Sequence, residues 1–324
     1  MSRLALTRRR ALAALGAAAF APLSRTWAAQ EAGALAFLAV GDWGREGQFH
    51  QREVAQRMGE SARELNAKFV ISVGDNFYED GVTGLSDPAW KASFEDVYDA
   101  PSLQVPWCVA LGNHDYRGDS QAQVDYSKTS PRWRLPARWH AFSERAPDGA
   151  SLEVFVLDTS PMIQAYHAPD SKVVVTGQDT DAQLAWFEQR LAASTADWKI
   201  VVGHHPVYSG APSAGAANGK GGEGGGGGSP DLQARIDPIL QRHRIPLYLN
   251  GHDHDLQHVH KGVTDYVCTG AGSKMRDQCN MGGSDFCSLQ SGFVACTVTR
   301  GRLRVTYRDW TGADLHVIDI PRSS

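Results

Sequence analysis

Residues 36–44 read AFLAVGDWG, five apolar residues running straight into Gly41, Asp42, Trp43 and Gly44. A short apolar run closed by glycine is the pattern of a strand buried on both faces. An acid just past its end sits where an open α/β sheet gathers functional groups. The pattern recurs along the chain. Residues 69–73 (FVISV) lead into Gly74-Asp75-Asn76-Phe77-Tyr78, and residues 107–111 (WCVAL) into Gly112-Asn113-His114-Asp115. Residues 198–202 (WKIVV) lead into Gly203-His204, and residues 246–249 (PLYL) approach Gly251-His252-Asp253-His254. A lone Gly-Asn-His-Asp carries little information. Five motifs in order, each past a strand and each offering metal-binding groups, point to one two-metal site.

Working outward from these motifs, helices and strands alternate. Residues 48–66 carry Val54, Ala55, Met58, Ala62 and Leu65 at helical spacing, and residues 88–98 form a shorter helix. Residues 115–138 read as a long loop over the site. Residues 139–142 and 152–157 read as strands, and residues 181–193 and 230–243 as helices. From Leu256 onward, short alternating runs at 264–268, 293–298, 303–307 and 315–318 predict an antiparallel second sheet. The fold class is therefore α/β, two packed sheets flanked by helices. The motifs span Asp42 to His254 of a 324-residue chain that is 42% hydrophobic, which favours a single catalytic domain over residues 30–324. A net charge of −4 gives no electrostatic basis for binding nucleic acid or an anionic membrane.

Residues 1–29 read differently. Residues 2–10 (SRLALTRRR) hold no acid, residues 11–23 are Ala-rich and mildly apolar, and small residues follow at Ala28 and Ala29. The stretch is too short to span a membrane and has the form of an export signal. Arg8, Arg9 and Arg10 before a weakly hydrophobic core mark it as twin-arginine in type. The expected partner of the precursor is the twin-arginine machinery. The mature protein is expected in the periplasm or outside a bacterial cell, without stable membrane association. Cys108, Cys268 and Cys296 lie in apolar runs and read as buried; Cys279 and Cys287 can pair in an oxidising compartment. Residues 210–228 contain ten glycines and have no means of packing a core; they form either a surface insertion or a lid.

Two cations about 3.5–4 Å apart can grip both the attacking and the leaving oxygen of a phosphoryl transfer. A bridging carboxylate holds them that close, and Asp75 is the candidate. Asp42, Tyr78 and His254 complete one ion's ligands; Asn113, His204 and His252 complete the other's. A phenolate at Tyr78 suits Fe(III), which can deprotonate and keep it. Two carboxylates, a phenolate and a hydroxide bring about four negative charges against five on a ferric and a divalent ion, leaving a site suited to anionic phosphate.

These residues are similar to those of the purple acid phosphatases, in particular the small tartrate-resistant type, within the calcineurin-like metallophosphoesterases. The likeness covers GDNFYEDGV (74–82), FEDVYDAPSLQVPWCVALGNHDY (94–116), YSKTSPRW (126–133), VVGHHPVYS (201–209) and GHDHDLQH (251–258). The wider superfamily has His where this chain has Gly44 and lacks a Tyr at 78; the Gly44/Tyr78 pair is the mark of the ferric branch. The resemblance implies a four-layer αββα sandwich of two mixed sheets flanked by helices. It implies Fe(III) on Asp42, Asp75, Tyr78 and His254, and Fe(II), Zn(II) or Mn(II) on Asp75, Asn113, His204 and His252. It further implies hydrolysis of small phosphate monoesters by metal-bound hydroxide, with His114 as the catalytic residue assisting substrate or leaving group. The mammalian-type enzymes carry a further His in the loop where this chain has its glycine-rich segment, and that segment contains none. The alternatives are a phosphodiesterase or nucleotide pyrophosphatase on the same metals, and a non-catalytic metal- or phosphate-binding protein.

If residues 8–10 are the export determinant, replacing all three arginines by lysine should leave uncleaved precursor in the cytoplasm. Fractionation and immunoblotting against the wild type measure this; a normal periplasmic yield would point to the general secretory route.

Overall fold

A computed structural model of the chain describes residues 33–210, 228–277, 279 and 283–322. The expected signal at 1–29 and nearly all of the glycine-rich stretch lie outside these residues. Strands β1 (Leu35–Val40), β2 (Val70–Ser72), β3 (Trp107–Val109) and β4 (Trp133–Arg134) pair in parallel. Strands β12 (Gly292–Val298), β13 (Arg302–Asp309) and β14 (Asp314–Pro321) extend that sheet antiparallel from β1, in the order β14-β13-β12-β1-β2-β3-β4. The second sheet runs β11-β9-β10-β8-β7-β6-β5, built from β5 (His140–Arg145), β6 (Ser151–Val156), β7 (Trp198–Val202), β8 (Leu247–Asn250), β9 (Leu256–Lys261), β10 (Thr264–Thr269) and β11 (Phe286–Ser288). Both sheets are mixed and carry seven strands.

Period-two alternation fixes the layers. In β1, Phe37 and Ala39 face the other sheet and pack with Ile71, Val154, Ile200, Val202 and Leu249. Leu38 and Val40 face outward onto α1 (Gln51–Leu65), which presents Val54, Ala55, Met58, Ala62 and Leu65. On the far side, Phe155, Val201 and Tyr248 pack against Phe187 and Leu191 of α3 (Thr180–Ala193). They also meet Leu232 of α4 (Pro230–Arg235) and Leu240 of α5 (Asp237–Arg242). The expected αββα arrangement follows from these three apolar interfaces.

Several expectations need correction. The C-terminal strands do not make one antiparallel sheet: β9, β10 and β11 join β8, whereas β12, β13 and β14 cover the open edge of β1. Alternation reports that a strand is half-buried, not which edge it completes. Residues 115–138 are not a plain loop. They hold α2 (Ser120–Tyr126), capped by the Asp119 carboxylate on the Ala122 amide, and the strand β4. The helix at 230–243 is broken into α4 and α5, since Pro238 has no N–H to continue the ladder. At 88–98 only a wide helical turn forms, Trp90–Glu95.

An aromatic cluster sits beneath the strand ends of the first sheet. Trp133 is fully buried and packs against Trp43, Phe77, Trp90 and Phe94, with centroids 5.1–6.4 Å apart. Cys279 and Cys287 form a disulfide, and Cys108, Cys268 and Cys296 are free and buried. No helix among the described residues is long and apolar enough to cross a membrane. Trp133→Ala should lower unfolding free energy by about 3–5 kcal/mol, the usual result of opening a large core cavity. The control Val317→Ala, at an exposed position, should change it by less than about 0.5 kcal/mol. Urea denaturation measures both.

Candidate metal centre

The C-terminal ends of β1, β2, β3, β7 and β8 converge where the two sheets meet. Their loops hold one another. The Asp42 amide donates to Gly74 O, the Gly251 amide to His204 O, and the His252 amide to Asp42 Oδ2. Asp42, Asp75 and His252 have left-handed backbones, with φ of 58°, 51° and 69°. Such conformations in non-glycine residues are costly and gather at functional sites. Glycine is required nearby for space: a Cβ on Gly112 would collide with the Asp75 carboxylate, and one on Gly251 with that of Asp42. His252 and His254 lie in a tight turn after β8.

All seven candidate ligands come together. Tyr78 Oη lies 2.9 Å from Asp42 Oδ1, 3.1 Å from Asp75 Oδ2 and 3.0 Å from His254 Nε2. Asn113 Oδ1 lies 2.9 Å from His252 Nδ1 and 3.2 Å from His204 Nε2. Asp75 Oδ2 is common to both groups, since His204 Nε2 is also 3.2 Å from it. Donors bonded at about 2.1 Å to one octahedral ion lie about 3 Å apart when adjacent. The observed spacings match that value, so the donor set fits metal coordination, with Asp75 Oδ2 common to its two groups. The His204 ring is oriented by its Nδ1–H, which donates to Val73 O at 3.0 Å and turns Nε2 inward.

Electrostatics of the protein alone say the same. Burial opposes charge on Asp75, yet the neighbouring His204 and His114 outweigh it and hold the carboxyl well below its usual range. Burial likewise opposes charge on His204, but Asp75 lifts that imidazole to about 9. His252 is pushed down to about 3 by burial and by His204. Tyr78 is held protonated by burial and by the anions Asp42 and Asp75. Protons on Tyr78 and His204 thus occupy a site that cations would take over, releasing them.

His114 stands beside this set. Its Nδ1–H donates to Glu79 O at 2.5 Å, leaving Nε2 facing the cluster, 3.9 Å from Asp75 Oδ2. Other residues were not legible from motif order. Asp115 accepts from the amides of Asn76 and Gly112, tying two ligand loops together, and burial beside Asp75 raises it to about 7. His205 is buried against the His252 ring (centroids 4.6 Å apart) and bonds Thr159 Oγ1 and Tyr166 Oη. Behind the His252 turn, Arg276 pairs with Asp253 and Asp255. His258 and His260 are turned to Asp265, each 2.8 Å from its Oδ1.

The sequence profile of the calcineurin-like phosphoesterases matches residues 35–256. The chain is 36% identical over 301 residues to purple acid phosphatase 4 of Arabidopsis thaliana, covering 89% of this chain and 84% of that protein. It is 33% identical over 317 residues to tartrate-resistant acid phosphatase type 5 of Oryctolagus cuniculus, covering 91% and 94%. Among solved structures, GAP50, the anchor in the inner membrane complex of Plasmodium, matches with a TM-score of 0.74 at 23% identity over 90% of each chain. That last likeness concerns the fold alone.

Because Asp75 Oδ2 is the shared atom, Asp75→Ala should lower metal affinity by more than about 10²-fold, beyond the usual effect of an outer-shell partner. It should reduce bound metal for both ions together. Asn113→Ala should spare one ion. Elemental analysis of the purified variants decides, and two ions per chain retained in Asp75→Ala would remove Asp75 from the bridging position.

Proposed function

The chain belongs to the purple acid phosphatases within the calcineurin-like phosphoesterases, and on that premise we propose that it hydrolyses small phosphate monoesters at the cluster around Asp75. The observation that carries this is the convergence of seven donors from five segments at about 3 Å spacing around one shared carboxylate oxygen. Asp42, Asp75, Tyr78 and His254 would hold Fe(III); Asp75, Asn113, His204 and His252 would hold Fe(II), Zn(II) or Mn(II). When bound, such a pair supplies a water of lowered pKa and positive charge against the phosphate oxygens.

The protein's own part is to position and to move protons. Asp75 would serve both ions, and Asn113, as a neutral ligand, would keep the negative charge of the second group low. His114 is steadied by Glu79 O and offers Nε2 to the substrate side, where it can pass a proton to the leaving oxygen. His205 is driven well below its usual range by burial, His252 and His204, so it serves as a neutral bridge between Thr159 and Tyr166. Residues 1–29, read as a twin-arginine signal, would deliver the folded enzyme to the periplasm.

Turnover of p-nitrophenyl phosphate well above that of its bis-ester is the expected result. The reverse order would favour a phosphodiesterase, and no turnover of either a binding protein. His114→Ala should lower kcat on the monoester by roughly 10²–10⁴-fold. The oxidised iron-loaded protein should be coloured by charge transfer from Tyr78, and Tyr78→Phe should remove the visible band while iron remains, as read by absorption and iron analysis.

A further inference from the structure

Arg45 lies three residues past Asp42, and its side chain ends over the face of Tyr78. The guanidinium carbon is 3.7 Å from the ring centroid, and the side chain is 5% exposed. The residue is held from both ends. Its amide donates to Oε1 of the buried Gln51, whose own Nε2 donates to Ser93 O. Its guanidinium pairs with Glu79, the residue after Tyr78. The phenol is thus bounded by carboxylates at its oxygen and by a cation across its ring. Neither the ligand pattern nor packing alone calls for a buried arginine there.

We propose that Arg45 is a positioning residue for Tyr78 that fixes the ring plane and stabilises its electrons, and so sets the energy of charge transfer from Tyr78 to bound Fe(III). This rests on the assignment of Tyr78 as a ferric ligand. In the transition one electron leaves the ring and reaches the iron; nothing else is transferred. An iron held by the phenol oxygen would be farther from Arg45 than the ring is. A cation over the ring therefore stabilises the state before transfer more than the state after it, and raises the transition energy.

The test is the visible spectrum of the iron-loaded full-length protein, with iron measured in each sample. Arg45→Met removes the charge and keeps much of the bulk. Its band should move to longer wavelength by roughly 10–30 nm, the scale of the difference between a unit charge acting at ~4 Å and at ~6–7 Å in a medium of effective dielectric ~20. Arg45→Lys should lie between this variant and wild type. Glu79→Gln, at a side chain 51% exposed, removes an anion from beside the Arg45 guanidinium and should move the band to shorter wavelength. Shifts of opposite sign are not produced by a packing role. A coloured wild type whose band is unmoved in both Arg45→Met and Glu79→Gln overturns the proposal. Should Arg45→Met fail to fold, Glu79→Gln decides alone, and a band that does not move to shorter wavelength overturns it. A colourless iron-loaded wild type instead overturns the ferric assignment of Tyr78, and the proposal with it.

Discussion

Asp42, Asp75 and Tyr78 bring three oxygen ligands together, with the Tyr78 oxygen 2.9 and 3.1 Å from the two carboxylates, in a largely buried pocket. The rest of the site answers to that concentration. Two unit charges ~4 Å apart repel by about 4 kcal/mol at an effective dielectric near 20. Three such pairs would approach the roughly 5–15 kcal/mol that holds a whole domain together. The metal-free protein avoids this by keeping Tyr78 protonated and placing a proton on His204. A bound cation inverts the same logic and makes the phenolate the favoured form. The oxygen cluster is therefore a reason for cations rather than merely compatible with them.

Holding acids that close imposes backbone conditions. A residue placed one or two positions past a parallel strand must turn at once to face the neighbouring strand end. Asp42, Asp75 and His252 do so through left-handed conformations that the surrounding hydrogen bonds enforce. The floor must also be rigid. Trp43 and Phe77 descend from the ligand loops into the aromatic cluster, and Trp43 Nε1 donates to Ser72 Oγ, which in turn donates to Asn76 Oδ1. Asn76, Asp115 and Gln123 then join the second and third ligand loops through buried hydrogen bonds.

This also explains which parts could be read from sequence. The strand runs before the motifs are continuous and apolar because parallel strands covered on both faces have no polar side, so Phe37, Ile71, Val109, Val201 and Leu249 announced themselves. The seven donors were legible because each sits at a fixed short offset from such a run. The allocation of the C-terminal strands was not, since only tertiary contact selects β1 as the neighbour of β12 and β8 as that of β10. Nor was α2 legible, with Ser120, Ala122 and Gln123 as its buried face instead of an apolar stripe. Asn76 and Gln123 lie 47 residues apart, and a polar pair at that separation leaves no periodic trace. Arg45 reads as an ordinary loop cation until the Tyr78 ring is found beneath it.

Folding and metal loading would be coupled by the same charges. Ligands that must shed protons to bind, in a protein whose ligand loops are far apart in sequence, have little affinity for metal when the chain is unfolded. Binding energy then appears as stability of the folded state, by about 4 kcal/mol at 1,000 times the dissociation constant. On the proposed assignment both ions would draw ligands from each sheet: Asp42, Asp75 and Tyr78 with His254 in one group, Asp75 and Asn113 with His204 and His252 in the other. Loading would therefore clamp the two sheets at the ends that carry these residues, where the His252 amide to Asp42 Oδ2 contact already joins them. A chain organised this way gains from acquiring its metals as it folds, inside the compartment that controls their supply. If residues 1–29 act as the proposed twin-arginine signal, export of the folded protein would preserve what loading achieves.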